Sequence, residues 1–134
     1  MKLNAFMAIN AIIAAVFGLG LVFVPTQVMS LYGYPSDAGL LYIAQLFGAA
    51  LLSFAVLTWS ARSLPDSDAR RAILLALFVG DAVGFVVALI AQLGGVVATL
   101  GWSTVAIYLL LAIGLGYFRF VASNGSVAVH GKPM

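Results

Sequence analysis

The chain has 134 residues, of which 64% are hydrophobic and 7% are charged, and its mean hydropathy is +1.17. Soluble domains contain about 45 to 50% apolar and about 25% charged residues. These few charged residues cannot cover the surface of a folded protein of this size with polar groups. The composition therefore excludes a water-soluble globule and predicts an exterior that faces lipid. The net charge of +2 comes from basic residues between apolar stretches, which argues against nucleic acid as a partner.

Four apolar stretches predict four membrane-spanning helices. The stretches extend over residues 3–24, 38–60, 72–93 and 96–120. Each has the roughly 20 residues that a helix needs to cross a hydrocarbon core of about 30 Å, and a helix satisfies its backbone hydrogen bonds within the segment. We therefore predict an all-α bundle of four transmembrane helices, which forms a single integral membrane domain over residues 1–134.

The connections between the stretches are short. Ser67 with Asp68 can cap the start of the third helix, and a Gly-Gly pair at residues 94–95 predicts an antiparallel hairpin between the third and fourth helices. In the first loop, residues 26–32 fit either a short interfacial helix or an irregular loop. The end of the chain, residues 122–134, has no sustained periodicity and predicts a flexible cytoplasmic tail.

The basic residues indicate the orientation in the membrane. All six lie before the first stretch, between the second and third, or after the fourth: Lys2, Arg62, Arg70, Arg71, Arg119 and Lys132. Because cytoplasmic loops carry an excess of Lys and Arg, we expect both termini in the cytoplasm. The cluster of Arg62, Arg70 and Arg71 has two interpretations, since it can set the topology alone or also attract anionic lipid headgroups.

One acidic residue, Asp81, lies inside an apolar stretch. At 1.5 Å per residue it is about 14 Å from the cytoplasmic end of the third helix, near the bilayer midplane. A central Asp disfavours insertion by about 2.5 to 3.5 kcal/mol, which the apolar residues around it offset. We therefore expect its side chain to point away from lipid, and burial favours the protonated acid unless a cation or strong donors reach it.

Depth along the helices predicts polar partners for Asp81. Tyr108 in the fourth helix is nearly level with it, Gln45 is about 8 Å nearer the outside, and Asn10 is about 5 Å nearer the cytoplasm. In a structural interpretation, neutral Asp81 donates a hydrogen bond to Tyr108 or to a carbonyl, and Asn10 and Gln45 join helices. In a functional interpretation, Asp81 binds a proton, a cation or a cationic substrate in a polar interior.

Catalytic and metal-binding constellations are close to absent from the sequence. Cys and Glu do not occur, and His130 stands alone in the tail. Asp66 and Asp68 could be imagined as a divalent-metal pair, but helix capping explains both acids more simply. We therefore expect no metal site, no cofactor and no enzymatic activity.

Four segments carry a resemblance to a known class of proteins: "FGLGLVFVP" at 17–25, "LYGYPSDAGLLYIAQLFGAALL" at 31–52, "ARRAILLALFVGDAVGFVVALIAQLGGVV" at 69–97 and "LGWSTVAIYLLLAIGLGYF" at 100–118. Over nearly its whole length the chain resembles the small four-helix bacterial membrane proteins classed as domains of unknown function. The resemblance implies a bacterial inner (cytoplasmic) membrane. It implies no activity and no functional residues.

Three functions are compatible with the sequence. The leading hypothesis is an accessory or interaction protein that packs with a larger membrane complex or with its own copies, because almost every residue serves to span and pack. The second is a small proton- or cation-coupled transporter that uses Asp81. The third is a binder of a lipid, quinone or pigment between the helices.

Overall fold

The computed structural model describes residues 2–122, and this part of the chain is helical apart from short connections. Its elements are α1 (Leu3–Phe23), α2 (Pro25–Leu31), α3 (Ala38–Ala61), α4 (Asp68–Leu93) and α5 (Gly101–Gly116), which continues as a π-helix over Tyr117–Ala122. Four helical segments are long and apolar enough to cross a membrane: Leu3–Phe23, Ala38–Ala61, Asp68–Leu93 and Gly101–Val121. The predicted all-α bundle of four transmembrane helices is confirmed. The predicted tail after residue 122, with His130 and Lys132, lies outside the described residues.

Side-chain caps set the starts of α3 and α4. The Asp37 carboxylate accepts a hydrogen bond from the Leu40 amide at 2.8 Å, and the Ser67 hydroxyl accepts one from the Arg70 amide at 3.2 Å. Each cap satisfies an amide of the first turn that has no partner within its helix. Helix α4 therefore begins at Asp68, before the predicted apolar stretch, because its first turn is polar and capped.

Helix α5 begins at Gly101, five residues later than the predicted start at residue 96. Gly95 adopts a left-handed conformation with φ of +74°, which turns the chain out of α4. The side-chain amide of Gln92 then donates hydrogen bonds to the carbonyls of Val97, at 3.4 Å, and Ala98, at 3.2 Å. These bonds hold a turn where the sequence predicts helix, although the predicted α4–α5 hairpin itself is confirmed.

The helices pack as two antiparallel pairs. In the first pair, α1 lies along α3, where a Cβ atom on Gly48 would be 2.9 Å from the carbonyl oxygen of Gly18. In the second pair, α4 lies along α5, and the ring of Phe78 packs against Gly116. Small residues allow this close approach, since helices in lipid associate through packing contacts.

The two pairs join at one end of the bundle, which we call the basic end because Lys2, Arg62, Arg70, Arg71 and Arg119 lie there. A buried apolar core at this end comprises Met7, Ala61, Leu74, Leu77 and Leu115. The ring of Phe6 also packs against Gly114, which connects α1 to α5. Away from the basic end, α3 and α4 make few contacts. The bundle is therefore closed at the basic end and open between α3 and α4 in the other half, where the turn after α2 bridges the two pairs through a hydrogen bond from the Ala98 amide to the Tyr32 carbonyl.

The outward faces of the helices are apolar. Val83 and Ile90 on α4 are 57% and 65% exposed, and Leu110 and Ile113 on α5 are 65% and 60% exposed. Extended apolar surfaces of this kind are typical of contact with a membrane. The lipid-facing exterior predicted from the composition agrees with this arrangement.

Candidate functional site

The gap between the two helix pairs forms a cavity of about 480 Å³. Helices α1 to α5 all contribute to its wall, which consists mainly of aliphatic and aromatic side chains. The polar residues of the wall are Asn10, Tyr32, Asp81, Thr104 and Tyr108. A largely apolar cavity with a few converging polar groups is typical of small-molecule sites, which commonly measure about 300 to 1,000 Å³.

Asp81 lies midway along α4, and its half-buried side chain lines this cavity. Its carboxyl group makes no hydrogen bond or ion pair with any side chain or backbone group of residues 2–122. The hydrogen bond to Tyr108 or to a carbonyl, which the structural interpretation requires, is therefore not formed within that range. The carboxyl group is available to a molecule in the cavity.

Tyr108 is positioned by a glycine on the neighbouring helix. Its ring lies against Gly84, so closely that a Cβ atom at residue 84 would be 2.5 Å from Cε1 and 2.8 Å from Cδ1 of Tyr108. This contact holds the phenol on the α4 side of α5, where it shares the cavity wall with Asp81. The sequence expectation that these two residues are neighbours rests on their common depth and on the short hairpin that places α4 beside α5.

Asn10 provides the most buried polar group of the wall. Its side chain is 7% exposed, and the Nδ2 atom has no hydrogen-bond partner among residues 2–122. A buried amide donor without an acceptor costs about 1 to 3 kcal/mol. Such groups in native proteins call for an explanation, such as an acceptor supplied by a bound molecule or by water.

Gln45 is not brought to the cavity. Its side chain is exposed on the α1–α3 pair, and Nε2 donates a hydrogen bond to the carbonyl oxygen of Val22 at 3.1 Å. The bond joins α3 to α1, which is the role that the structural interpretation gives to this residue. The structure thus brings Asn10, Asp81 and Tyr108 to one cavity and leaves Gln45 outside it.

The sequence predicts no site role for two polar residues of the cavity wall, Tyr32 and Thr104. Thr104 donates a hydrogen bond from Oγ1 to the Tyr32 hydroxyl at 3.1 Å, and the Tyr32 carbonyl accepts one from the Ala98 amide at 3.1 Å. Tyr32 follows α2, so the first loop contains the short helix that was one of its two predicted forms. Val28, Met29 and Tyr32 share a face, since residues four apart align on a helix, and this spacing could have indicated that α2 covers an interior.

A second cavity of about 430 Å³ adjoins the first. The two share Tyr32, Phe47, Thr104 and Tyr108. The second cavity also reaches Gln92, whose Oε1 atom is buried without a hydrogen-bond partner among the described residues. Tyr108 and the Tyr32–Thr104 pair therefore form the boundary between two neighbouring spaces.

The predicted arginine cluster lies at the basic end, away from the cavity. Asp66 Oδ1 is 3.4 Å from Nη2 of Arg70 and 3.7 Å from Nε of Arg71, and Asp68 Oδ1 is 3.4 Å from Nη2 of Arg71. The three arginines of the cluster and these two aspartates together carry a net charge of about +1. These ion pairs link the α3–α4 connection to the first turn of α4, and the attraction of anionic lipid stays a prediction.

The cavity wall offers polar groups that could bind a molecule. Among residues 2–122, no group of three or more His, Asp or Glu side chains could hold a metal ion. The wall offers one carboxyl group, one amide, three hydroxyl groups and several aromatic rings. No protein-family model, curated protein or solved structure matches the chain, so its resemblance to small four-helix bacterial membrane proteins stays a prediction.

Proposed function

We propose that this membrane protein binds a small, mainly apolar molecule in the cavity between its two helix pairs. The observation that carries the proposal is the cavity of about 480 Å³, with Asp81 in its wall and a buried amide of Asn10 that has no acceptor among residues 2–122. The proposal corresponds to the third function compatible with the sequence, the binding of a hydrophobic molecule between helices. The bound molecule would provide a partner for the Asp81 carboxyl group and for the Asn10 amide.

The opening between α3 and α4 supports access from the bilayer. Phe47 and Phe54 line the cavity from α3 and are also 46% and 48% exposed. Gly80 on α4 has no atom of another helix within 4 Å of the position a Cβ would take. A hydrophobic molecule dissolved in the bilayer can therefore enter sideways without crossing an aqueous phase.

Blocking the cavity tests the proposal. Gly80→Phe places a ring in the cavity, where the structure leaves room for it. Val79→Phe is the matched control, because residue 79 lies at nearly the same depth on α4, is 50% exposed and is not part of the cavity wall. Both variants and the unaltered protein are purified gently from native membranes, and organic extracts are analysed by mass spectrometry.

We expect one hydrophobic compound at near-stoichiometric amounts with the unaltered protein and with Val79→Phe. The same compound should be lost from Gly80→Phe. Extracts of all three proteins that contain only bulk phospholipid in equal amounts would contradict the proposal. Circular dichroism and size-exclusion chromatography verify that each variant is folded.

Transport is a second candidate, because an unpaired intramembrane acid is typical of proton and cation pathways. The closed core at the basic end favours binding over transport, since Met7, Leu74 and Leu115 are fully buried between the cavity and that end. A transporter would need this core to open. Coupled movement of protons or cations by Asp81 therefore stays a prediction.

The accessory role is compatible with ligand binding. A protein that packs with a larger membrane complex, or with its own copies, can also hold a small molecule between its helices. Chemical cross-linking in native membranes tests this role. A cross-linked companion is expected if it holds, and a strictly monomeric protein at native expression would count against it.

We infer that both termini face the cytoplasm of a bacterial cytoplasmic membrane. The gathering of the described basic residues at one end of the bundle supports this orientation. Because the chain has no Cys, Ser36→Cys in the α2–α3 connection and Ser63→Cys in the α3–α4 connection each introduce a unique thiol. A membrane-impermeant maleimide added to intact spheroplasts should label residue 36 and should label residue 63 only after lysis. The reverse pattern would contradict the orientation.

A further inference from the structure

We propose that the molecule bound in the cavity is a lipophilic amine, whose ammonium group pairs with the carboxylate of Asp81. This inference rests on the proposed function, because it names the chemical class of the ligand for the same cavity. It follows from three features of the wall: its charge, its aromatic rings and its opening to the bilayer.

The charge of the wall is the first feature. Among residues 2–122, Asp81 is the one carboxylic acid that lines the cavity, and no Lys, Arg or His of that range contributes to the wall. A carboxylate removed from water needs a cation or several donors close by. The protein supplies neither, since the Asp81 side chain makes no hydrogen bond or ion pair in that range. A positively charged ligand group would supply the missing partner.

The aromatic rings are the second feature. Phe17, Phe47 and Phe54 contribute to the wall from α1 and α3, and Tyr32 and Tyr108 contribute from the other side of the cavity. The faces of such rings attract ammonium groups, by about 0.5 to 2 kcal/mol for each well-placed ring. Rings and a single carboxylate together are typical of sites that recognise organic cations.

The apolar remainder of the wall is the third feature. Leu51, Leu77, Ile107 and Leu111 surround the polar groups with hydrocarbon, and the gap between α3 and α4 opens toward lipid. A hydrated inorganic cation would find too few oxygen ligands here to replace its water shell. An amine with a hydrocarbon body can instead bury that body against the aliphatic wall while its ammonium group reaches Asp81.

A neutral ligand is the competing possibility. A protonated Asp81 could donate a hydrogen bond to a carbonyl or hydroxyl oxygen of the ligand, as a quinone would offer. The two possibilities differ in how binding depends on the charge of the ligand. Amantadine and 1-adamantanol make a suitable pair of probes, because they share one hydrocarbon cage and differ in an ammonium or a hydroxyl group.

The experiment measures the equilibrium binding of the two tritiated probes to the full chain in lipid nanodiscs, with empty nanodiscs as the baseline. For the unaltered protein we expect amantadine to bind at least about tenfold more tightly than 1-adamantanol, as expected for a charge pair shielded from water. Asp81→Asn should remove this preference and leave the binding of 1-adamantanol unchanged. Asp37→Asn is the matched control, since it removes one acid outside the cavity and Asn caps a helix as well as Asp does.

Each outcome decides between the hypotheses. Equal binding of the two probes, or an amine preference that persists in Asp81→Asn, would overturn the assignment of an amine while leaving the cavity as a binding site. Binding of neither probe above the empty nanodiscs would overturn the binding site itself, and the amine with it. The comparison of the two probes on the unaltered protein remains decisive even if Asp81→Asn does not fold.

Discussion

The ring of Tyr108 occupies the space that a side chain at residue 84 would need, with Cε1 2.5 Å from the position of a Cβ atom. The absence of a side chain at Gly84 therefore determines the position of the Tyr108 ring. This ring forms part of the cavity wall, as Asp81 does. Helix packing and the candidate site depend on the same contact.

Substitution of Gly84 by Ala is expected to destabilise the α4–α5 pair. The added methyl group must displace the ring of Tyr108, and overpacking of this kind typically costs about 1 to 3 kcal/mol. Gly80→Ala on the same helix is the control, because its methyl group meets nothing within 4 Å and Ala in a helix is favoured over Gly by about 0.5 to 1 kcal/mol. Thermal unfolding in detergent should show a lower Tm for Gly84→Ala and an equal or higher Tm for Gly80→Ala. Equal Tm values for the two variants would contradict the packing described here.

The close approach of α1 and α3 predicts a similar sensitivity at Gly48. A Cβ atom there would be 2.9 Å from the backbone oxygen of Gly18 and 2.9 Å from Cβ of Leu21. Backbone atoms cannot move aside as a flexible side chain can. Gly48→Ala should therefore separate α1 from α3 and lower the Tm of the monomeric protein. If Gly48→Ala instead dissociated an oligomer without changing the Tm of the monomer, Gly48 would belong to an interface between copies. Sedimentation velocity alongside thermal unfolding distinguishes these results.

The hydrogen bond between Thr104 and Tyr32 predicts energetic coupling across 72 positions of sequence. Tyr32→Phe and Thr104→Val each remove one partner, so the double variant should lose less stability than the sum of the single variants. We expect a coupling energy of about 0.5 to 1.5 kcal/mol in a double-mutant cycle of unfolding free energies. Additive effects would mean that the two hydroxyl groups do not interact in the membrane.

Asp81 is expected to contribute nothing to the stability of the fold. Because its side chain has no hydrogen-bond partner within residues 2–122, Asp81→Asn should leave the Tm unchanged, and Asp81→Leu should leave it equal or raise it. Leu is favoured over Asp at the centre of a membrane helix by about 3 kcal/mol or more on the insertion scale. A clear loss of stability in both variants would favour the structural interpretation, in which the carboxyl group joins helices.

Much of the fold could be predicted from the sequence because the hydrocarbon core imposes a simple rule of length and apolar composition. The capped start of α4 and the α4–α5 hairpin also followed from local residues such as Ser67. The start of α5 did not, because residues 96–100 are as apolar as a helix and form a turn through the buried Gln92 side chain. A composition rule cannot detect a side-chain hydrogen bond to the backbone of this kind.

The candidate site was only partly predictable for a different reason. The depth of a residue follows from its position along a helix, so Asp81 and Tyr108 could be expected at one level. The rotation of a helix about its axis depends on packing, and for this reason Gln45 faces away from the cavity although its depth allowed it to line the interior. The contact between Tyr32 and Thr104 could not be anticipated, because the turn after α2 reaches α5 only in the folded bundle, although the spacing of residues 28, 29 and 32 indicates a shared face.

Ligand binding at Asp81 requires that residue 81 face a cavity between the helices and not the surrounding lipid. Spin labelling tests it most directly, since the chain has no Cys and Asp81→Cys or Val83→Cys carries a unique label. In nanodiscs, power saturation should show high collision rates with oxygen at residue 83, whose native side chain is 57% exposed, and clearly lower rates at residue 81. Equal oxygen collision rates at the two positions would mean that the acid faces lipid, and would contradict the cavity as its environment.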